Sequence, residues 1–272
     1  MSLPNLKEII QDIKHIARAA GRIELDFYAK GTDVIHKNDG SPVTAADEAA
    51  EEMITSALIK LTPHIPVVGE EAVAANSIPD ISKGLFWLVD PLDGTKEFIK
   101  GTGDFSVNIA LLENFKPVLG VIYVPVFDEL YAGYGHDTAT LSLDGKPDTP
   151  IKTPLPDLEK GLRIISSRSH AGSDGMASDA VRTYLKNVKI ASFSPRGSAL
   201  KFGKIAAGLA DFYPRLAPTS EWDTAAGEAI LNAAGGVITQ LDGAPMVYGK
   251  AAEKFLNPKF VAHHKDFKLP QH

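Results

Sequence analysis

The apolar positions at the start of the chain follow helical spacing. Between residues 5 and 29, isoleucine, leucine and alanine recur every three or four positions, and most charged residues fall on the opposite face. This pattern predicts an amphipathic helix that packs one face on the core. After a turn signal at 37–42, Thr44 and Asp47 form a capping-box pattern, which predicts a second helix that begins at Thr44 and ends near residue 61.

Beyond these helices the apolar positions form short runs of strand length. A first run, 65–68, ends at a glycine, and a second run, 86–90, ends at an aspartate. Turn signals at 114–117 and 144–145 predict hairpins. The remaining runs predict four more strands: 105–112, 118–124, 129–133 and 139–143. Two helices followed by such a meander indicate an α+β unit.

The second half of the chain has a different organisation. Four prolines between 147 and 161 interrupt the periodicity, so we expect a domain boundary there, with domains at 1–155 and 156–272. Beyond the boundary, strands and helices alternate, which is typical of an α/β unit. The predicted strands are 162–166, 188–193, 211–214 and 236–240, and the predicted helices are 175–187, 198–208 and 224–234.

The composition is that of a globular protein. The 272 residues are 44% hydrophobic and 23% charged, enough for one large domain or two of ordinary size. The net charge of −6 argues against a general nucleic-acid partner. The absence of cysteine excludes disulfides and thiolate metal sites. We expect a cytoplasmic protein, because no run approaches the roughly 20 apolar residues of a transmembrane helix and no secretory signal is visible.

Candidate chemistry is concentrated after the second apolar run. The run 86–90 ends in Asp90, Asp93 follows, and the chain turns at Gly94. Carboxylates beside a buried strand are costly unless a cation neutralises them, and divalent metal ions prefer such oxygen ligands. Thr95 opens a short helical stretch whose amides suit a phosphate. Carboxylates and backbone donors would then meet at one place, as phosphoryl transfer requires.

Further acidic residues border other apolar segments. Glu70 and Glu71 end a predicted strand, and a neighbouring strand would bring Glu70 within reach of Asp90. Asp223 precedes a predicted helix, where a helix cap is the simpler interpretation, as it is for Asp47. Considered together, the acids predict a two-metal hydrolytic site. The histidines at 263, 264 and 272 lack further ligands at matching spacing, and we interpret them as polar surface residues.

Three motifs together resemble those of the inositol monophosphatase-like superfamily of metal-dependent phosphatases. In chain order they are Gly-Glu-Glu at 69–71, Trp-Leu-Val-Asp-Pro-Leu-Asp-Gly-Thr at 87–95 and Trp-Asp-Thr-Ala-Ala-Gly at 222–227. Their extended forms resemble the CysQ branch, whose members are 3'(2'),5'-bisphosphate nucleotidases, at 39–44, 93–100 and 255–258. The resemblance covers nearly the whole chain.

The resemblance implies a fold and a metal site. The fold is a layered α-β-α-β-α sandwich of the sugar-phosphatase type, with the active site between the two halves. The cofactor is Mg²⁺, as two or three ions, with inhibition by lithium. Glu70, Asp90 and the main-chain carbonyl of Leu92 would hold one ion, and Asp90, Asp93 and Asp223 the second. The N-terminal domain would carry most of these ligands and the C-terminal domain the last.

The resemblance also implies catalytic and substrate-binding residues. Thr95, oriented by Asp47, would position the attacking water, with Glu70 close by. The amides of Gly94 and Thr95 would receive the scissile phosphate. A second phosphate suits cationic side chains away from the metals. The nucleotide contacts would come from the C-terminal domain: His170, Ser198, Lys201 and Arg215.

The implied reaction is hydrolysis of the 3'-phosphate of adenosine 3',5'-bisphosphate to AMP and phosphate, by metal-activated water and without a covalent intermediate. The metal motifs leave open an inositol phosphate or a sugar bisphosphate as the substrate, and 3'-phosphoadenosine 5'-phosphosulfate is another alternative. A haloacid-dehalogenase-type phosphatase is disfavoured, because its two aspartates stand two positions apart, whereas Asp90 and Asp93 stand three apart. An inactive metal-binding regulatory protein is the non-enzyme alternative.

The resemblance and the composition together set the expected partners. They are a small nucleotide bisphosphate from sulfur metabolism and no nucleic acid. We expect a monomer or a homodimer without a transmembrane segment. Peripheral association with the inner membrane is an alternative to a purely cytoplasmic location.

Overall fold

The computed structural model describes residues 2–31, 34–36, 42–168 and 177–268. Its helices are α1 (Leu6–Lys30), α2 (Ala45–Leu61), α3 (Glu70–Ala74), α4 (Thr95–Ile99), α5 (Asp179–Tyr184), α6 (Leu200–Ala206) and α7 (Ala225–Ala234). Its strands are β1 (Val34–His36), β2 (Pro42–Thr44), β3 (Val67–Gly69), β4 (Phe86–Asp93), β5 (Ser106–Glu113), β6 (Lys116–Val124), β7 (Glu129–Tyr134), β8 (Thr140–Leu143), β9 (Thr149–Pro150), β10 (Leu162–Ser167), β11 (Ile190–Arg196), β12 (Phe212–Arg215), β13 (Gly236–Gln240) and β14 (Phe260–His264). Among the described helices, none combines the length and the apolar character that crossing a bilayer requires.

Two large sheets carry the fold. The first has seven strands in the order β3-β4-β5-β6-β7-β8-β9, and every neighbouring pair is antiparallel except β3 and β4. The second has five strands in the order β11-β10-β12-β14-β13. Its first three strands are parallel, and β14 runs antiparallel to both of its neighbours. β1 and β2 form a separate antiparallel pair.

Side chains of the larger sheet pack on both of its faces. In β4, Trp87 and Val89 contact the layer of α1 and α2, whereas Phe86 and Leu88 face the layer of α6 and α7. Burial on both faces explains why the strand is a continuous apolar run. The layer of α6 and α7 also packs on the smaller sheet, whose outer face α5 covers through Val181. The predicted α-β-α-β-α order of layers is therefore confirmed.

The local signals of the first half were dependable. α1 and α2 occupy the predicted ranges, and the capping box is formed, since the amide of Thr44 donates to Asp47 at 2.8 Å. The hairpin predicted at 114–117 is also present. Asn114 and Phe115 have φ values of 51° and 59°, the left-handed backbone that a tight hairpin turn requires. The turn predicted at 37–42 lies mostly outside the described residues.

The second half differs from the sequence-based expectation in three respects. The helix predicted at 175–187 is only Asp179–Tyr184 among the described residues. The strand Phe260–His264 was missed, and it lies between β12 and β13. His263 in that strand is only 3% exposed and stacks on Phe212 at 5.8 Å between ring centroids, so it is not a surface residue. Burial lowers the pKa of this imidazole, which favours its neutral form in an apolar layer.

The two halves of the chain share their largest hydrophobic cluster. It contains Phe86 and Ile122 from before the predicted boundary at 155 and Phe202 and Ile230 from after it. The segment between β9 and β10 contains no described helix or strand. The division into domains at 1–155 and 156–272 stays a prediction. At the edge of this shared layer, residues of both halves of the chain line one cavity.

Candidate active site

The end of β4 delivers two aspartates to one cavity. In a regular strand Asp90 and Asp93, three positions apart, would point to opposite faces of the sheet. The register with β5 shifts between these two residues, and such an irregularity re-aims side chains. As a result Asp90, Leu92 and Asp93 all line a cavity of about 300 Å³, to which both halves of the chain contribute.

Gly94 shapes the turn that follows. Its φ of 94° is a left-handed backbone conformation that side chains rarely adopt. A Cβ atom at this position would also approach the carbonyl oxygen of Asp104 to 3.0 Å. The turn lets α4 begin at Thr95 beside the aspartates, with the amides of its first turn unpaired within the helix. Gly94 and Thr95 both line the cavity.

β3 brings a third acid to the same place. It runs parallel to β4 with Gly69 opposite Val89, and Glu70 lines the cavity, which confirms the expected proximity of Glu70 to Asp90. Glu51 of α2 fixes the start of α3, because its carboxylate accepts the amide hydrogens of residues 71 and 72, each at 2.8 Å. A Cβ atom on Gly69 would lie 2.4 Å from this carboxylate carbon, so the close approach requires glycine.

The last acid comes from the second half of the chain. Asp223 ends a 3-10 turn, Glu221–Asp223, and accepts the amide hydrogen of Ser220 at 2.8 Å. Carboxylate oxygens of Asp90, Asp93 and Asp223 lie within 4.8 Å of one another. In addition, Oδ2 of Asp90 is buried without a hydrogen-bond partner among the described residues. Clustered hard oxygen ligands with unused acceptor capacity fit a divalent cation such as Mg²⁺.

Burial and repulsion disfavour the charged forms of these aspartates. The pKa of Asp90 is raised well above its usual value, first by burial and then by the charges of Glu70, Asp93 and Asp223. Burial raises the pKa of Asp93 to about 6, although Lys201 opposes the shift. Burial and the charges of Asp93 and Glu70 raise the pKa of Asp223 to about 7. A cation in the cluster would favour ionisation of all three aspartates.

Asp47 and Thr95 meet at the rim of this cluster. Oδ2 of Asp47 accepts the amide and the hydroxyl of Thr44 at 2.8 and 2.7 Å. The hydroxyl of Thr95 lies 3.4 Å from Oδ1 of Asp47 and 3.3 Å from the carbonyl oxygen of Leu92. The predicted pairing of Thr95 with Asp47 is thus present in the geometry, while the catalytic role of both residues stays a prediction.

Cationic side chains form another part of the cavity lining, which we call the cationic wall: Arg196, Lys201 and Arg215. Three of the four residues predicted to contact the nucleotide line the cavity: Ser198, Lys201 and Arg215. The ammonium group of Lys201 lies over the ring of Tyr213, 5.3 Å from its centroid, and donates to the carbonyl oxygen of Ser198. The fourth residue, His170, lies outside the described residues.

Two polar residues near this site were not predicted from the sequence. Asn108 of β5 stands opposite Asp90 and donates to Oδ2 of Asp93 at 3.4 Å. Its signal was a polar residue inside an otherwise apolar strand. Glu24 of α1 is fully buried, and neither of its carboxylate oxygens has a hydrogen-bond partner among the described residues. Burial and the nearby charge of Asp47 raise its pKa, which favours the neutral acid.

Replacing Asp223 with asparagine is expected to stabilise the metal-free protein at pH 8. The pKa of Asp223 is about 7 in the folded protein against the usual 3.8, so its ionisation disfavours folding as the pH rises above 3.8. Asparagine keeps an acceptor for the amide of Ser220. In urea unfolding with a chelator, we expect a gain of up to about 4 kcal/mol at pH 8 that shrinks towards pH 4. Equal stability changes at both pH values would show that the carboxylate is not under repulsion.

Known proteins resemble this chain along nearly its whole length. The model of the inositol monophosphatase family matches residues 5–265. The 3'(2'),5'-bisphosphate nucleotidase CysQ of Escherichia coli O157:H7 is 40% identical over 254 residues, which cover 93% of this chain and 98% of that protein. CysQ of Salmonella typhimurium is 41% identical with the same coverage of this chain.

Solved structures agree with this result. CysQ from Bacteroides thetaiotaomicron, a bacterial member of the inositol monophosphatase family, is 36% identical with a TM-score of 0.76, and the match covers 98% of this chain and 100% of that one. The extragenic suppressor protein suhB from Bartonella henselae is 26% identical with a TM-score of 0.73 and coverages of 95% and 94%. The chain belongs to the inositol monophosphatase family.

Proposed function

We propose that this protein is a divalent-metal-dependent phosphatase that hydrolyses the 3'-phosphate of adenosine 3',5'-bisphosphate to AMP and phosphate. The observation that carries the proposal is the convergence of Asp90, Asp93 and Asp223 within 4.8 Å. It occurs in a cavity whose cationic wall includes Lys201 and Arg215. The relatives named 3'(2'),5'-bisphosphate nucleotidases, at 40% and 41% identity, support this choice of substrate.

The acids fit two metal sites. We assign Glu70, Asp90 and the main-chain carbonyl of Leu92 to one Mg²⁺, and Asp90, Asp93 and Asp223 to a second. When bound, such ions acidify water and offset the charge that develops on the phosphoryl group. The protein's part is to hold the carboxylates in place, and β4 and the turn before α7 carry them. Whether a third ion joins them stays a prediction.

Asp47 and Thr95 are assigned to the orientation of the attacking water. Asp47 is fixed by its two hydrogen bonds from Thr44, so its Oδ1 is held where the hydroxyl of Thr95 can donate to it. If the carbonyl oxygen of Leu92 binds a metal ion, the hydroxyl of Thr95 donates to Asp47 instead. The oxygen of Thr95 is then available to accept a hydrogen bond from water. Glu70, which lines the same cavity, is assigned to receive the proton.

The remaining assignments concern the substrate. The amides of Gly94 and Thr95, at the start of α4, are assigned to the scissile phosphate, because unpaired helix amides bind anions. Ser198, Lys201 and Arg215 are assigned to the rest of the nucleotide, where charge-assisted hydrogen bonds suit a second phosphate. The role of His170 stays a prediction.

Family membership narrows the alternatives. It removes the haloacid-dehalogenase-type phosphatase, whereas inositol phosphates, sugar bisphosphates and 3'-phosphoadenosine 5'-phosphosulfate remain chemically compatible with the acids. The cationic wall favours substrates with a second anionic group. The inactive regulatory protein is kept as the outcome of a failed assay. The cytoplasmic location, the peripheral membrane alternative and the monomeric or dimeric state stay predictions.

Phosphate release tests the proposed function. With Mg²⁺ we expect a kcat/KM for adenosine 3',5'-bisphosphate at least about a hundredfold above that for myo-inositol 1-phosphate, because only the former has a second phosphate for the cationic wall. Chelator should abolish the activity and lithium should reduce it. A preference for the inositol phosphate would establish the alternative substrate. Mg²⁺ binding without turnover of any phosphomonoester would favour the regulatory protein.

Removing the Thr95 hydroxyl tests the assignment of the water. We expect Thr95→Ala to lower kcat about a hundredfold with little change in KM, since a group that orients the nucleophile acts mainly in the transition state. Thr95→Ser keeps the hydroxyl and serves as the matched control, with most of the activity retained. Steady-state kinetics on both variants gives the answer. A Thr95→Ala protein with normal kcat would contradict the assignment.

A further inference from the structure

Three neighbouring parallel strands end at one wall of the cavity. β11, β10 and β12 lie side by side in that order, and their last residues are Arg196, Ser167 and Arg215. All three residues line the cavity. Ligands of open α/β sheets bind beyond the carboxyl ends of the strands, so this edge is where the smaller sheet would meet a substrate.

Two arginines flank a serine along this edge. Arg196 is in register with Ser167 on the adjacent strand. The guanidinium of Arg215 reaches the same serine from the other side, donating to its hydroxyl and to the carbonyl oxygen of Pro218, the latter at 2.9 Å. Because neighbouring strands are about 4.8 Å apart, the backbones of the two arginines stand roughly 10 Å apart. Two long side chains can close that distance around one phosphate group.

Among the described residues, the Arg196 side chain makes one weak ion pair. Its Nη1 lies 3.8 Å from Oδ1 of Asp104, which is too long for a hydrogen bond. The other carboxylate oxygen of Asp104 binds Arg168 at 2.6 Å and accepts the amide hydrogen of Gly197 at 3.1 Å. One buried carboxylate therefore faces two guanidinium groups and makes a hydrogen-bonded ion pair with Arg168 but not with Arg196. The Arg196 side chain is 41% exposed and can turn its donors to an anion in the cavity.

The acidic residues of the cavity indicate which phosphate of the substrate would bind between the two arginines. The carboxylates of Asp90, Asp93 and Asp223 occupy the region assigned to the metals and the scissile phosphate. A phosphate at the strand ends would be a different group of the same substrate.

We propose that Arg196 binds the phosphate that is not hydrolysed, opposite Arg215, and thereby selects bisphosphorylated substrates over monophosphates. This inference rests on the proposed function, because it requires a reacting phosphate at the acidic cluster. Sequence reasoning assigned the second phosphate to Lys201, Arg215 and His170 and did not consider Arg196. Its addition makes the site a two-sided clamp, and planar guanidinium groups bind phosphate oxygens in bidentate fashion.

A double comparison of variant and substrate tests the clamp. We expect Arg196→Gln to lower kcat/KM for adenosine 3',5'-bisphosphate about tenfold or more, mainly through KM, because a charge-assisted contact is lost. For adenosine 3'-monophosphate, which lacks the distal phosphate, we expect less than about a twofold change. Arg196→Lys should lie between Arg196→Gln and the wild type for the bisphosphate. The matched control is Arg22→Gln, which removes an exposed arginine of α1 and should change neither substrate.

The activity on the monophosphate also shows whether the variant is folded. A misfolded variant would lose activity on both substrates, which distinguishes it from a variant with altered specificity. If Arg196→Gln reduces the activity on both substrates equally, Arg196 acts through its ion pair with Asp104 and the inference is wrong. If neither activity changes, it is wrong as well. A wild-type enzyme that prefers the bisphosphate while Arg196→Gln keeps that preference overturns this inference alone. A wild-type enzyme that releases phosphate from the bisphosphate without preferring it to the monophosphate also overturns this inference alone, whereas one that releases none from the bisphosphate overturns the proposed function together with it.

Discussion

The structure depends on keeping one buried and two half-buried carboxylates close together against their mutual repulsion. Asp90, Asp93 and Asp223 place oxygens within 4.8 Å of one another, and burial raises the pKa of each aspartate. The apolar side chains on both faces of β4 anchor the strand that carries two of them. This packing offsets a local arrangement that is unfavourable by itself. A divalent cation would be attracted by the same negative charges that repel one another in its absence. The carboxylate cluster that destabilises the metal-free protein would therefore also bind the metal.

Glycines and buried acidic side chains set the geometry around that cluster. Gly69 leaves room for Glu51, which holds the start of α3 and with it Glu70. Gly94 turns the chain so that α4 begins at the aspartates. On the far side, Asp104 joins the loop before β5 to the end of β11. The cavity is therefore built by contacts between the two halves of the chain.

Much of this arrangement could be predicted from the sequence, because the signals were local. A helical stripe identified α1, a capping box identified α2, and the motifs identified acids that do line one cavity. What escaped prediction was set by neighbours distant in sequence. His263 is buried because Phe212 stacks on it, and Asn108 faces Asp93 only through the pairing of β4 with β5. In the sequence, nothing distinguishes Arg196 from a surface arginine. Its place in the cavity follows from the alignment of three strand ends in the smaller sheet.

The most direct test of the central claim is to locate the ions. Crystals of the protein grown with Mn²⁺ in place of Mg²⁺ would be measured at a wavelength where manganese scatters anomalously. The account predicts two peaks, one contacting Glu70, Asp90 and the carbonyl of Leu92, and one contacting Asp90, Asp93 and Asp223. Anomalous peaks elsewhere in the molecule, or none in this cavity at saturating Mn²⁺, would contradict it.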